Sequence, residues 1–169
     1  MRNVFVDGYN VINSWPELNT IKEYSFEAAR TKLIEEMLNY SSYNGYKVFL
    51  VFDAHLLKGS IEKKEKVDNV IIIFTKEGET ADSFIERYVN SIGRKVEVCV
   101  VTSDCLEQQV VFQRGAIRMS SIEFYSEVCN TRSNINKKTK KSTGVDRILI
   151  EDRISGEILE KLQKIRKSH

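Results

Sequence analysis

The sequence predicts a three-layer α/β fold, in which a mainly parallel central sheet of about five strands is flanked by helices. Three observations predict it. Four short apolar runs, at 4–6, 46–52, 70–74 and 96–101, are separated by stretches with helical periodicity. The runs are apolar almost throughout instead of alternating, as in strands buried on both faces. Each run is also followed by an acid, in turn Asp7, Asp53, Asp82 and Asp104, the third of them eight residues on in the first turn of the next helix. Right-handed crossovers make the four strands parallel and bring those acids to one sheet edge, where the loops diverge and leave a crevice.

At 169 residues, with 41% hydrophobic and 30% charged content, the chain suits one domain with a full core. No apolar run reaches the length of a membrane span and no signal-peptide pattern precedes the first strand, so the expected location is the cytoplasm. Cys99, Cys105 and Cys129 form no C-x-x-C pair, which argues against a zinc cluster or a disulfide framework. With only His55 and His169 available, a histidine-rich metal site is disfavoured. The net charge of +2 is uninformative until it is mapped: between 131 and 145 lie five basic residues, Arg132, Lys137, Lys138, Lys140 and Lys141, and no acid. A basic tail beside an acidic crevice suits a polyanionic partner.

The first strand ends at Asp7, and Gly8 and Asn10 read as a sharp turn or a water-holding position beside it. A loop through Trp15 and Pro16 leads to a helix capped by Ser25 and reaching about Tyr43. Arg30 interrupts its apolar stripe and therefore points inward, either as a salt bridge to the sheet or as a phosphate or carboxylate contact. Gly45 ends that helix, and the second strand follows. The stretch 56–68, rich in lysine and without a stripe, reads as a loop over the site or as a solvated connection. After the third strand, Asp82 lies in the first turn of a helix, where the dipole favours an acid in any case. Glu79 is a further candidate from the same loop. Asp104 follows the fourth strand and doubles as an N-cap, with Glu107 completing a capping-box pattern. A short edge strand at 116–119, a helix capped by Ser120 and Glu123, a basic linker and an amphipathic helix after Ser155 complete the chain.

Two unit charges about 4 Å apart repel by roughly 4 kcal/mol at an effective dielectric near 20, so converging carboxylates need protons or cations. An all-oxygen donor set suits Mg²⁺ or Mn²⁺ and phosphate chemistry. Rival strand-end chemistries fit less well. No G-x-x-x-x-G-K-[ST] run is present, Gly8 stands alone where G-x-G-x-x-G would be, and Tyr9 occupies the position of the second Asp of haloacid dehalogenase-like phosphatases.

VDGYNVI with Trp15, Pro16, Glu17 and Leu18, VFDAH at 51–55, FTKEGETAD at 74–82, VVTSD at 100–104 with Glu107, Gln108 and Gln109, and GAIRMS at 115–120 together resemble the YacP-like branch of the NYN domains. That group is similar in fold to PIN-domain nucleases, and the likeness covers roughly residues 1–130. The resemblance implies a metal-dependent endoribonuclease that acts on mRNA in association with the ribosome. Carried over by position, it puts the catalytic acids at Asp7, Asp53, Asp82 and Asp104, with Mg²⁺ or Mn²⁺ on Asp7, Asp82 and Asp104. Asn10, Arg30, Lys137, Lys138, Lys140 and Lys141 are the candidate substrate contacts. The expected organisation is a PIN-like domain over 1–130, a basic linker over 131–154 and a final helix of the same domain over 155–169. The alternatives are a non-catalytic RNA-binding or ribosome-associated adaptor with structural acids, and a small-molecule phosphatase, which leaves the basic tail unexplained.

Overall fold

The computed structural model describes residues 1–54, 58–93, 95–103 and 115–153, with side chains as far as residue 142. Its strands are β1 (Asn3–Asp7), β2 (Lys47–Phe52), β3 (Lys63–Val67), β4 (Val70–Phe74), β5 (Val98–Val101) and β6 (Ile117–Met119). Its helices are α1 (Gly8–Ser14), α2 (Pro16–Tyr24), α3 (Phe26–Asn44), α4 (Ala81–Ile92) and α5 (Ser121–Arg153). The chain divides into two compact units, Met1–Arg132 and Ser133–His169.

The strands form one sheet in the order β3-β4-β2-β1-β5-β6. All pairings are parallel except the β3–β4 hairpin. Alternate residues of the central strands feed two cores, as the period of two demands. Val4, Val6, Leu50, Phe52, Ile72 and Val101 pack with residues of α1, α2, α3 and α5. Phe5, Phe49, Val51, Ile73 and Val100 pack with Ala81, Phe84, Ile85 and Val89 of α4 on the opposite face. The predicted three-layer architecture is therefore present, with six strands among the described residues in place of about five.

Three segments differ from the sequence reading. The stretch after Asp7 is helical where a loop was expected. Asp7 has extended backbone and its carboxyl accepts the Asn10 N–H at 3.1 Å, which makes it the N-cap of α1. Pro16 occupies the first turn of α2, where its missing N–H costs nothing. Trp15 joins the two helices and is buried, its indole N–H donating to the Ser121 carbonyl at 2.9 Å.

The lysine-rich connection contains a strand. β3 returns on β4 through Asp68 and Asn69, with Asp68 at φ 52°, a left-handed conformation that Asp tolerates. Its signal was hidden because its residues are charged, and yet Lys64 covers the Phe84 and Tyr88 rings with its side chain while pairing with Glu62 at 2.7 Å. The third difference is α5, which continues through the expected linker to Arg153. From Ser121 to Thr143 there is no Gly or Pro, and Lys and Arg are good helix formers even where no apolar stripe marks the helix. The final helix expected over 155–169 lies outside the described residues, as do His55, Asp104, Cys105 and the helix expected around Leu106.

Gly8 shows why β1 can turn straight into a helix. A Cβ placed there would lie 2.3 Å from the Phe52 ring, so α1 approaches β2 as closely as it does only without a side chain. Gly8→Ala should accordingly destabilise the fold by about 1–3 kcal/mol, because Phe52 is fully buried and has little room to move. Chemical denaturation measures this; an unchanged midpoint would show that the contact relaxes freely.

Candidate functional site

The register of the sheet decides what meets at its C-terminal edge. Asp7, the last residue of β1, pairs with Val51, and Phe52 pairs with Phe74, so β1, β2 and β4 end side by side. Asp53 follows β2 directly. Asp82 is the second residue of α4, whose N-cap Thr80 accepts the Ser83 N–H at 3.2 Å. These three acids come together: the Asp82 carboxyl lies close enough to that of Asp7 to influence its ionisation, and so does the charge of Asp53. Asp104 lies outside the described residues.

Burial is the largest influence on Asp7, and it raises the carboxyl above its ordinary range. The neighbouring Asp53 charge raises it further, while the backbone N–H groups of Asn10 and Tyr9 and the contact with Asp82 pull it down. Two ionised carboxylates cannot hydrogen-bond to each other, so a proton or a cation between this pair is favourable. Among the described residues, no group of three His, Cys, Asp or Glu side chains is placed to hold a metal ion. The donors that do converge are all carboxylate oxygens, the type that Mg²⁺ and Mn²⁺ prefer.

Asn10 stands on the first turn of α1, next to its cap. Its side-chain oxygen accepts a short hydrogen bond from the Ser121 hydroxyl, which lies 3.0 Å from that of Ser103. Ser121 is fully buried at the start of α5, and Ser103 follows β5, so this network ties three elements at the acid-bearing edge. Sequence reasoning missed Ser103 and Ser121. The capping box did give the place: the Ser120 N–H donates to Glu123 at 2.7 Å and the Glu123 N–H to Ser120 at 3.2 Å, which starts α5 at Ser121.

Arg30 is half-buried, as its place in the stripe required, but the partner it meets is a ring: its guanidinium lies 5.8 Å from the centroid of Phe74, the last residue of β4. Glu79 is buried and receives both Nε and Nη2 of Arg87 on one oxygen, at 3.0 and 2.8 Å. Lys137, Lys138, Lys140 and Lys141 are exposed on α5 within the second unit. Cys99 is an inert core thiol, pushed up to about 11 chiefly by burial.

Comparison with known proteins adds an independent line. The YacP-like NYN domain matches residues 4–167. A curated relative, the uncharacterized protein YacP of Bacillus subtilis (strain 168), is 45% identical over 141 residues, covering 83% of this chain and 82% of that protein. The crystal structure of Rae1 (YacP) from Bacillus subtilis superposes with a TM-score of 0.74 at 41% identity, covering 99% of this chain and 95% of the other. That of a tryptophan-to-leucine mutant superposes at 0.71 with 40% identity, covering 83% and 82%.

The raised Asp7 carboxyl has a definite effect on stability. A group raised in the folded state contributes stability below its ordinary value of 3.8, and that stability is lost as pH rises through the higher folded value. At neutral pH without divalent cations, Asp7→Asn should therefore melt above the parent, since Asn caps a helix as well as Asp. The difference should vanish as the pH falls below 3.8. Thermal melts in EDTA across this range decide it; a variant that melts lower at neutral pH would show that the ionised carboxylate stabilises the fold.

Proposed function

The chain belongs to the YacP-like NYN domain family, and from that premise we propose that it is a metal-dependent endoribonuclease that cleaves messenger RNA in association with the ribosome. The observation that carries this reading is the meeting of Asp7, Asp53 and Asp82 at the C-terminal edge of the sheet, with Asp7 and Asp82 in contact. A structural fold has little use for half-buried carboxyls gathered at one edge, whereas phosphodiester hydrolysis does.

In this reading Asp7, Asp82 and Asp104 hold Mg²⁺ or Mn²⁺, and Asp53 completes the set or orients water. A divalent ion in such a site activates a water and offsets charge on the phosphoryl oxygens. The remaining work belongs to the chain. The Asn10 N–H at the start of α1 holds the Asp7 carboxyl in place at the sheet edge, and the Asp82 carboxyl beside it would complete the donor pair for the ion. Asn10, fixed by Ser121, presents an amide beside the acids as a substrate contact. Arg30 supplies a cation at the same edge, and Lys137, Lys138, Lys140 and Lys141 supply a surface for RNA phosphates.

The adaptor alternative keeps the same acids in a structural role and cuts no bond. Incubating the protein with RNA, free and on translating ribosomes, in Mn²⁺, Mg²⁺ or EDTA separates the two. New RNA ends that need the cation are expected, and Asp82→Asn should lower their yield on the order of 100-fold while RNA binding persists. Binding without any cation-dependent cleavage would establish the adaptor.

Replacing Lys137, Lys138, Lys140 and Lys141 by Gln should weaken association with RNA or ribosomes and flatten its salt dependence, because each neutralised phosphate releases counterions. Turnover at saturating RNA should change little. An unaltered salt slope would mean that these lysines are only a solvated helix surface.

A further inference from the structure

A cavity of about 410 Å³ opens beside the acid-bearing edge, on the sheet face covered by α3. Its walls include Ala54, Ser60, Ile61, Lys63, Phe74 and Thr75. Ala54 follows Asp53 in the chain, so one wall of the cavity begins one residue beyond that acid. The backbone of Ala54 is fixed on both sides, its N–H donating to Thr75 at 2.9 Å and its carbonyl accepting from Ser60 at 3.1 Å.

The chemistry of the walls is specific. Phe74 and Ile61 provide flat and aliphatic surface, and Ile61 is 76% exposed although it is a large apolar side chain. Among the described residues, the lining contains no acid. Lys63 faces Phe74 directly across the β3–β4 pair and so lies on the same face, while Arg30 carries a second cation over the Phe74 ring. Gly59, also in the lining, follows the exposed Lys58 and donates its N–H to the Glu77 carboxylate at 2.8 Å. An apolar cavity within the roughly 300–1,000 Å³ range of small-ligand pockets, with Lys63 in its wall and Arg30 over the Phe74 ring, matches a planar apolar group joined to an anion.

From this we infer that the cavity is a nucleoside subsite: it takes one base of the RNA chain against Phe74 and Ile61, with the adjoining phosphate at Lys63 and Arg30, next to the bond at the acids. The inference rests on the reading of the chain as an RNA-cleaving protein and extends it. Bases stack on apolar side chains whatever their sequence, and the fit of the cavity then favours some bases over others near the cut.

The test uses exposed residues that do not endanger the fold. The full chain carrying Ile61→Glu or Lys63→Glu is compared with Lys66→Glu, which makes the same charge change on the opposite face of β3, where Lys66 pairs with Ile71. Binding of a short fluorescent oligoribonucleotide is measured by anisotropy in EDTA, beside an oligomer of the same length with abasic sites, and cleavage of the first is measured in Mn²⁺. Ile61→Glu and Lys63→Glu should weaken binding about tenfold or more, and Lys66→Glu by less than about twofold. On the abasic oligomer, the effect of Ile61→Glu should shrink while that of Lys63→Glu remains. Equal binding by all variants, or equal weakening by all three, would overturn the subsite. If the parent cuts RNA and the pocket variants bind and cut alike, only the subsite falls. If the pocket variants lose binding and no protein cuts RNA, the nuclease reading falls and the subsite stands. Absence of RNA binding by the parent overturns the subsite outright.

Discussion

A carboxyl at the buried end of a central strand must find something to meet its charge, and most of this structure follows from how Asp7 does so. One oxygen takes the N–H of Asn10 and thereby starts α1 at the very point where β1 stops. Because the helix begins there, Gly8 has to pass against the Phe52 ring and Trp15 is delivered to the Ser121 carbonyl. The same start fixes Asn10 against the Ser121 hydroxyl. The cap therefore organises the structure around it, yet its hydrogen bonds do not cancel the cost of burial, which Asp53 increases. A local contact sets the geometry and a tertiary one leaves the charge unresolved, which is the condition for a proton or a cation to have an effect there.

Much of this was legible in the sequence for a simple reason. Strands buried on both faces leave continuous apolar runs, and 70–74 corresponds to β4 without adjustment. Parallel connections then put the residues after those runs at a common edge, so the proximity of Asp7, Asp53 and Asp82 follows from topology alone. What escaped notice has physical causes as well. A capped helix that starts on the last strand residue looks like a turn, and Pro16 looks like a break although it opens α2. β3 reads as a solvated stretch because its lysines use their stems, not apolar heads, against α4. The bond between Asn10 and Ser121 joins residues 111 apart, a separation that no local pattern reports.

Opposite charges are distributed differently on the other side of α4. Lys64, Glu62, Arg87 and Glu79 form a chain that links the hairpin to the helix bearing Asp82. Glu62 is held below its usual range by Lys64 first and Arg87 second, and Arg87 is raised mainly by Glu79. Exposed pairs of this kind contribute little individually. The end of the chain on Glu79 is different, because that carboxylate is buried and an unpaired charge there would be costly. Arg87 thus holds the β4–α4 loop in the conformation that starts the helix at Thr80, two residues before Asp82.

The hairpin has one more effect, on how the protein meets other copies of itself. A sheet can grow wherever an outer strand leaves its N–H and C=O groups unpaired, and β3 is the outer strand on one side. Lys63, Lys64 and Lys66 stand along that strand of five residues, so a second β3 arriving edge to edge would bring like charges into register. The same lysines that disguised the strand in the sequence therefore oppose growth of the sheet from this side through charge repulsion.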